Sequence, residues 1–154
     1  MTKIKFKIRK LSTVILASLA LSGAVLPPSN ANATEALVIS RDYGGSVMQR
    51  LRELNNLRMQ RTPVKVVGQC MSACTMYLGL PQTCVSANAV FGFHGPSRRG
   101  QSRALTNSSA AELLAAHYPP ALRQWYLREG QYVASDRVIK ISGRDMHRMG
   151  VPRC

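Results

Sequence analysis

The chain has no C-x-x-C pair, no G-x-S-x-G pentapeptide, no internal repeat and no low-complexity tail. Cys70 and Cys74 are separated by three residues rather than two, which argues against a thioredoxin-like oxidoreductase. Without G-x-S-x-G, the strand-to-helix elbow of the α/β-hydrolases is excluded. Acidic residues are scarce, 7 Asp and Glu against 21 Lys and Arg. The basic residues are scattered from Arg50 to Arg153 rather than gathered into one run, so a solvated surface is expected and nucleic acid is not an expected partner. An apolar run of the ~20 residues that a membrane span needs is also missing.

The apolar run that does occur, Leu11 to Leu26, follows Lys3, Lys5, Lys7, Arg9 and Lys10 and ends in Pro27-Pro28. Ala31-Asn32-Ala33 then supplies the A-x-A pattern of a signal-peptidase site. Residues 1–33 therefore read as a signal peptide of an exported protein, periplasmic or secreted; left uncleaved, the segment would be a membrane anchor. The remaining 121 residues, 34–154, suit one domain. Removing the five leader charges from the formal +14 leaves +9, still clearly basic.

Cys70, Cys74, Cys84 and Cys154 make an even set, which export favours as disulfides, with three connectivities open. The preferred pairing is Cys74 with Cys84, which would tie the helix after Ser72 to the next strand at about 3 kcal/mol, leaving Cys70 for Cys154. A zinc site of Cys70, Cys74, Cys84 and His94 is the alternative, against which the spacing and the oxidising compartment both argue.

Ala36 to Ser40 reads as a buried strand ending at Gly44-Gly45. An amphipathic helix to about Gln60 follows, with Val47, Leu51 and Leu54 on its apolar face and Arg50, Arg52 and Glu53 interleaved. Pro63 to Gly68 is a second strand, completing a strand-helix-strand unit whose parallel strands require covering helices; the expected class is α/β. Ala73 to Leu80 is a short helix stopped by Pro81, and Val85 to His94 a third strand leading into a loop over 95–107. Ser109 and Glu112 have capping-box spacing, and the helix they open breaks at Pro119-Pro120 and resumes from Ala121 to about Glu129. Val138 to Ile141 is a last strand, followed by a helical turn from Ser142, with Asp145 as its cap, to Gly150. His117 and His147 have no evident partner and read as surface residues; Trp125, Tyr126 and Tyr132 are core or an assembly surface.

Ser72 falls where a strand becomes a helix, flanked by the small residues Cys70, Ala73 and Cys74. A hydroxyl on such a turn is exposed, and the unpaired N–H groups of the helix start face the oxygen of a carbonyl under attack. Serine needs a base to act near neutral pH, and His94 ends the neighbouring strand, on the sheet edge where α/β sites form.

The succession Gly44-Gly45-Ser46-Val47, Gly68-Gln69-x-x-Ser72 and Phe93-His94-Gly95-Pro96 resembles the proteolytic subunit of Clp protease and its crotonase-like relatives. Small exported proteins with C-x-S-A-C followed by G-F-H are similar again. The resemblance implies a parallel sheet with covering helices, Ser72 as nucleophile, His94 as base and the Gly45 and Ala73 amides as an oxyanion hole. It also implies Asp136 as third triad member, a peptide or acyl substrate, no cofactor and no metal, and self-association through residues 100–130. Two departures accompany it. The strand and helix that usually precede the glycine pair are missing, so the domain would be N-terminally shortened, and Gly95 stands where the protease has glutamine. A catalytically inactive envelope binding or structural protein with the same fold is the rival reading.

Overall fold

A computed structural model of the chain describes residues 35–154, which belong to one compact unit. The signal-peptide reading of residues 1–33 lies outside the described residues.

Short β-branched runs punctuated by glycine and proline become the strands. β1 (Leu37–Asp42) pairs in parallel with β2 (Val64–Met71), and the 14-residue helix α1 (Val47–Gln60) makes the crossover between them. Ser46 caps α1, its Oγ accepting the Gln49 N–H at 3.4 Å, and Arg61 ends it in the left-handed conformation. β2 then runs into a 3-10 helix over Ser72–Gly79, stopped just before Pro81.

The segment expected as one strand from Val85 to His94 is two, β3 (Thr83–Val85) and β4 (Val90–Phe93), both parallel to β2. The interruption has a local cause: Ser86-Ala87-Asn88 prefers a turn, in which the Ala89 N–H donates to the Ser86 carbonyl at 3.0 Å and the Asn88 N–H to Ser86 Oγ at 3.3 Å.

α2 (Ser109–Ala115) and α3 (Pro120–Arg128) pack against each other and return the chain to the end of β4 that it left. β5 (Ile139–Ser142) therefore starts opposite Phe93 and runs antiparallel to β4. The sheet, in order β1-β2-β4-β5 with β3 beside β2, is mixed rather than wholly parallel. The cap of α2 is Ser108, one residue before the expected Ser109, with its Oγ accepting the Ala111 N–H at 3.2 Å. At α4 (Gly143–Arg148) the reading of Ser142 and Asp145 as a cap matches: the Asp145 N–H donates to Ser142 Oγ at 3.2 Å.

Packing is one-sided. Val64, Val66, Phe91, Phe93 and Ile141 point into a core shared with Leu54, Met76, Tyr77, Leu122 and Met146. Val38 and Val67, on the opposite face of β1 and β2, are 55% and 41% exposed, so the expectation of a sheet buried on both faces is not met among the described residues. The core side closes on an aromatic cluster in which Phe93 meets Tyr118 and Trp125 edge-on, at 5.6 and 5.3 Å between ring centroids. Tyr126 is core, Trp125 packs against it and Tyr132 is exposed.

Candidate active site

Ser72 sits on the sharpest turn of the sheet's C-terminal edge. Its φ is +55°, a left-handed conformation that costs a non-glycine residue roughly 1–2 kcal/mol. Three features hold it there. The Cys70–Cys74 disulfide spans the turn from strand end to helix start. Thr75 Oγ donates to the Ser72 carbonyl at 2.7 Å and lies 2.8 Å from the buried Tyr118 hydroxyl. The third feature is the glycine loop between β1 and α1, which lies across the turn.

At Gly44, φ is +93° and a Cβ would sit 2.6 Å from Ser72 Cβ, 2.8 Å from the Met71 carbonyl oxygen and 2.9 Å from the Ala73 nitrogen. Gly45 has φ +118°, but a Cβ there would meet nothing within 4 Å. Gly44→Ala is accordingly expected to cost at least about 3 kcal/mol, overpacking added to strain, and Gly45→Ala about 1–2 kcal/mol, strain alone. Urea denaturation of the two variants checks this; equal losses would mean that contact with Ser72 is not what requires glycine at 44.

The loop is pinned by a partly buried ionic cluster centred on Arg50. Asp42 Oδ1 accepts the Gly44 N–H at 2.7 Å, and Asp42 Oδ2 accepts from Arg50 Nη2 at 2.5 Å. Arg50 Nη1 reaches Glu53 Oε2 at 2.8 Å and the Tyr77 hydroxyl, which in turn donates to Glu53. Burial first, then the bond to Glu53, holds the Tyr77 phenol protonated well above its ordinary range. With Gly44 committed to Asp42, the Gly45 N–H donates to no protein acceptor among the described residues. The Ala73 N–H lies in the first turn of the 3-10 helix, where no intrahelical acceptor exists.

The sequence reading missed this cluster by treating Arg50 as a surface charge, whereas the residue is only 8% exposed. A signal was available: position 50 lies three residues after Val47 and four before Leu54, on the buried stripe of α1.

His94 reaches the site through strand register. Met71 is opposite Gly92, so Ser72 and His94 leave the same end of adjacent parallel strands, whose backbones run about 4.8 Å apart. Both line a cleft of about 1200 Å³ together with Gly45, Ala73 and Asp136. His94 Nδ1 is 2.7 Å from the Gly95 carbonyl oxygen. A carbonyl only accepts, so Nδ1 carries the proton, and in the neutral imidazole Nε2 is the acceptor. The Tyr126 hydroxyl donates to the His94 carbonyl at 3.2 Å and fixes the backbone there.

Two expected contacts are not formed among the described residues: no hydrogen bond joins Ser72 Oγ to His94, and none joins Asp136 to His94. The Asp136 side chain is 63% exposed and its nearest cation is Arg137, at 3.9 Å. The acceptor at Nδ1 is thus the neighbouring main chain rather than a carboxylate.

The disulfides correct the expected connectivity. Cys70 pairs with Cys74 and Cys84 with Cys154, not Cys74 with Cys84 and Cys70 with Cys154. The C-terminal segment lies beside β3, with the Cys154 N–H donating to the Val85 carbonyl at 3.2 Å, which brings the last residue to Cys84. With all four sulfurs in disulfides, the zinc alternative loses its thiolate donors. The disulfides point to an oxidising compartment. Among the described residues no helix is long and apolar enough to cross a membrane. His117 and His147, expected at the surface, are partly buried and bonded to main-chain carbonyls, Leu113 at 2.8 Å and Val85 at 3.0 Å.

No family model matches the chain, and no curated protein matches it.

Proposed function

We propose that the protein is an exported serine hydrolase, periplasmic or secreted, of the Clp-protease-like and crotonase-like type, acting on peptide or other acyl bonds. The observation that carries the reading is the turn at Ser72: a serine in a left-handed conformation, clamped by a disulfide and crossed by a glycine loop, in one cleft with a histidine whose Nε2 is free to accept a proton. Strain of this kind is kept where a side chain must be presented rather than packed.

In the proposed reaction Ser72 Oγ attacks the carbonyl carbon while its proton passes to His94 Nε2. The N–H groups of Gly45 and Ala73 hold the oxyanion that forms. His94 returns the proton to the leaving group as the acyl bond breaks. Water then attacks the acyl-serine, its proton goes to His94 and on to Ser72 Oγ, and the acid departs. Asp136, which lines the same cleft, belongs to this proposal as the residue that would orient the imidazolium. Self-association through residues 100–130 belongs to it as well.

That no hydrogen bond joins Ser72 Oγ to His94 among the described residues favours a second reading, an inactive binding or structural module that keeps the fold. A fluorophosphonate probe decides between them. The mature protein is expected to label covalently, Ser72→Ala not at all, and His94→Gln at a rate at least ~100-fold lower. Absence of labelling across about pH 6 to 9 would leave the inactive module.

A further inference from the structure

The cleft that holds Ser72 carries an asymmetry of charge that the hydrolytic chemistry does not use. Of the seven acidic residues in the chain, five are committed to guanidinium groups: Asp42 and Glu53 to Arg50, Glu112 to Arg123 at 3.6 Å, Asp136 to Arg137 at 3.9 Å and Asp145 to Arg148. Neither Glu35 nor Glu129 lines the cleft; of the acidic residues Asp136 alone does, 3.9 Å from Arg137. Arg52 from α1 and Arg98 and Arg99 from the loop after β4 do line it, all three exposed, and none has a carboxylate within 4.0 Å among the described residues. Three uncompensated cations around one concavity focus a positive potential into it.

The same cleft has apolar lining with exposed surface: Val47, directly after the glycine loop, with Met48, Leu105 and Leu113. At about 1200 Å³ the space exceeds the roughly 300–1,000 Å³ of a small-molecule site and suits an extended chain.

Building on the hydrolase reading, we infer that the substrate is an acidic peptide segment, with an apolar side chain beside the bond to be cut and carboxylates within a few residues of it, held by Arg52, Arg98 and Arg99. The apolar side chain docks against Met48, Leu105 and Leu113, which keep exposed surface in the cleft. The carboxylates supply anions beyond the single one, Asp136, that the chain itself places in the lining. Exposed ion pairs are individually weak, so selectivity comes from three acting together and is steeply salt-dependent.

Two quenched-fluorescent peptides test this, identical in their alanine and leucine positions and differing only in three glutamates against three lysines. At about 10 mM salt kcat/KM is expected to be at least tenfold higher for the glutamate peptide, and the advantage to shrink below about threefold at 0.5 M. The triple variant Arg52→Gln, Arg98→Gln, Arg99→Gln is expected to cut the two peptides equally. A control that removes the same charge outside the cleft, Arg41→Gln, Arg128→Gln, Arg144→Gln, should keep the preference. Equal cutting by the wild type, or a preference surviving the cleft variant, overturns the inference. If p-nitrophenyl butyrate is hydrolysed through Ser72 but neither peptide is, the peptide inference alone falls. If Ser72 labels with no fluorophosphonate and no peptide is cut, the hydrolase reading falls and takes this one with it.

Discussion

Ser72→Gly is expected to abolish hydrolysis and probe labelling completely and yet to melt no lower than the wild type, about 4 °C above Ser72→Ala. The first half follows from the proposed chemistry. Loss of a serine nucleophile removes roughly 10⁵-fold or more of the rate, leaving what the oxyanion donors and binding alone provide. The second half follows from the backbone. At φ +55° an L side chain is disfavoured by about 1–2 kcal/mol, and glycine escapes that cost while giving back up to about 1 kcal/mol in chain entropy. Ser72→Ala removes the hydroxyl but keeps the strained conformation, so the difference between the two variants is the strain less the entropy of glycine, about 1 kcal/mol or some 4 °C for a domain of this size. Equal melting temperatures would show that the strain does not exceed that entropy, and residual labelling in either variant would show that another group is the nucleophile.

That strain could not be read from the sequence, whereas the position of Ser72 could. Short apolar runs bounded by glycine and proline, with a helical period between them, placed the strand-helix-strand unit, and the small residues around Ser72 marked its turn. Two residues ending neighbouring parallel strands must emerge at one edge, which is why Ser72 and His94 share a cleft. The split of the third strand at Ser86-Ala87-Asn88 is local; at β5, at the disulfides and at Arg50 the deciding contact is made by another element. The direction of β5 depends on where α2 and α3 deliver the chain, and nothing local in Ile139–Ser142 encodes it. The pairing of Cys84 with Cys154 depends on the last residues lying beside β3. Arg50 depends on three partners, from β1, from α1 itself and from the 3-10 helix, which together turn a residue type usually found at the surface into a buried one. Asp136 is the inverse case: the spacing expected for a triad acid is present, but the side chain stands mostly in solvent.

The two disulfides should separate stability from activity. Cys84 and Cys154 are 70 residues apart, so their bond closes a long loop and removes much of the unfolded chain's freedom, about 4 kcal/mol by the chain-entropy estimate. Cys70 and Cys74 are 4 apart, and the same estimate gives about 2 kcal/mol. A domain of this size has only some 5–15 kcal/mol in total. Cys84→Ser with Cys154→Ser is therefore expected to lower the melting temperature by roughly 15 °C while the folded fraction labels at the wild-type rate, because neither residue lines the cleft. Cys70→Ala with Cys74→Ala should lose about half as much stability but slow labelling at least tenfold, since the clamp that spans Ser72 is gone and the hydroxyl samples turns that no longer face the Gly45 and Ala73 amides. A reductant titration should reproduce the order: Cys154 is exposed and Cys84 half-buried, whereas Cys70 and Cys74 are fully buried, so the long-loop disulfide opens first and labelling outlasts it. Were labelling to vanish together with Cys84–Cys154 while the protein stayed folded, the turn at Ser72 would be held by the global fold rather than by its own disulfide, and the reading of C-x-S-A-C as a clamp around a presented serine would fail.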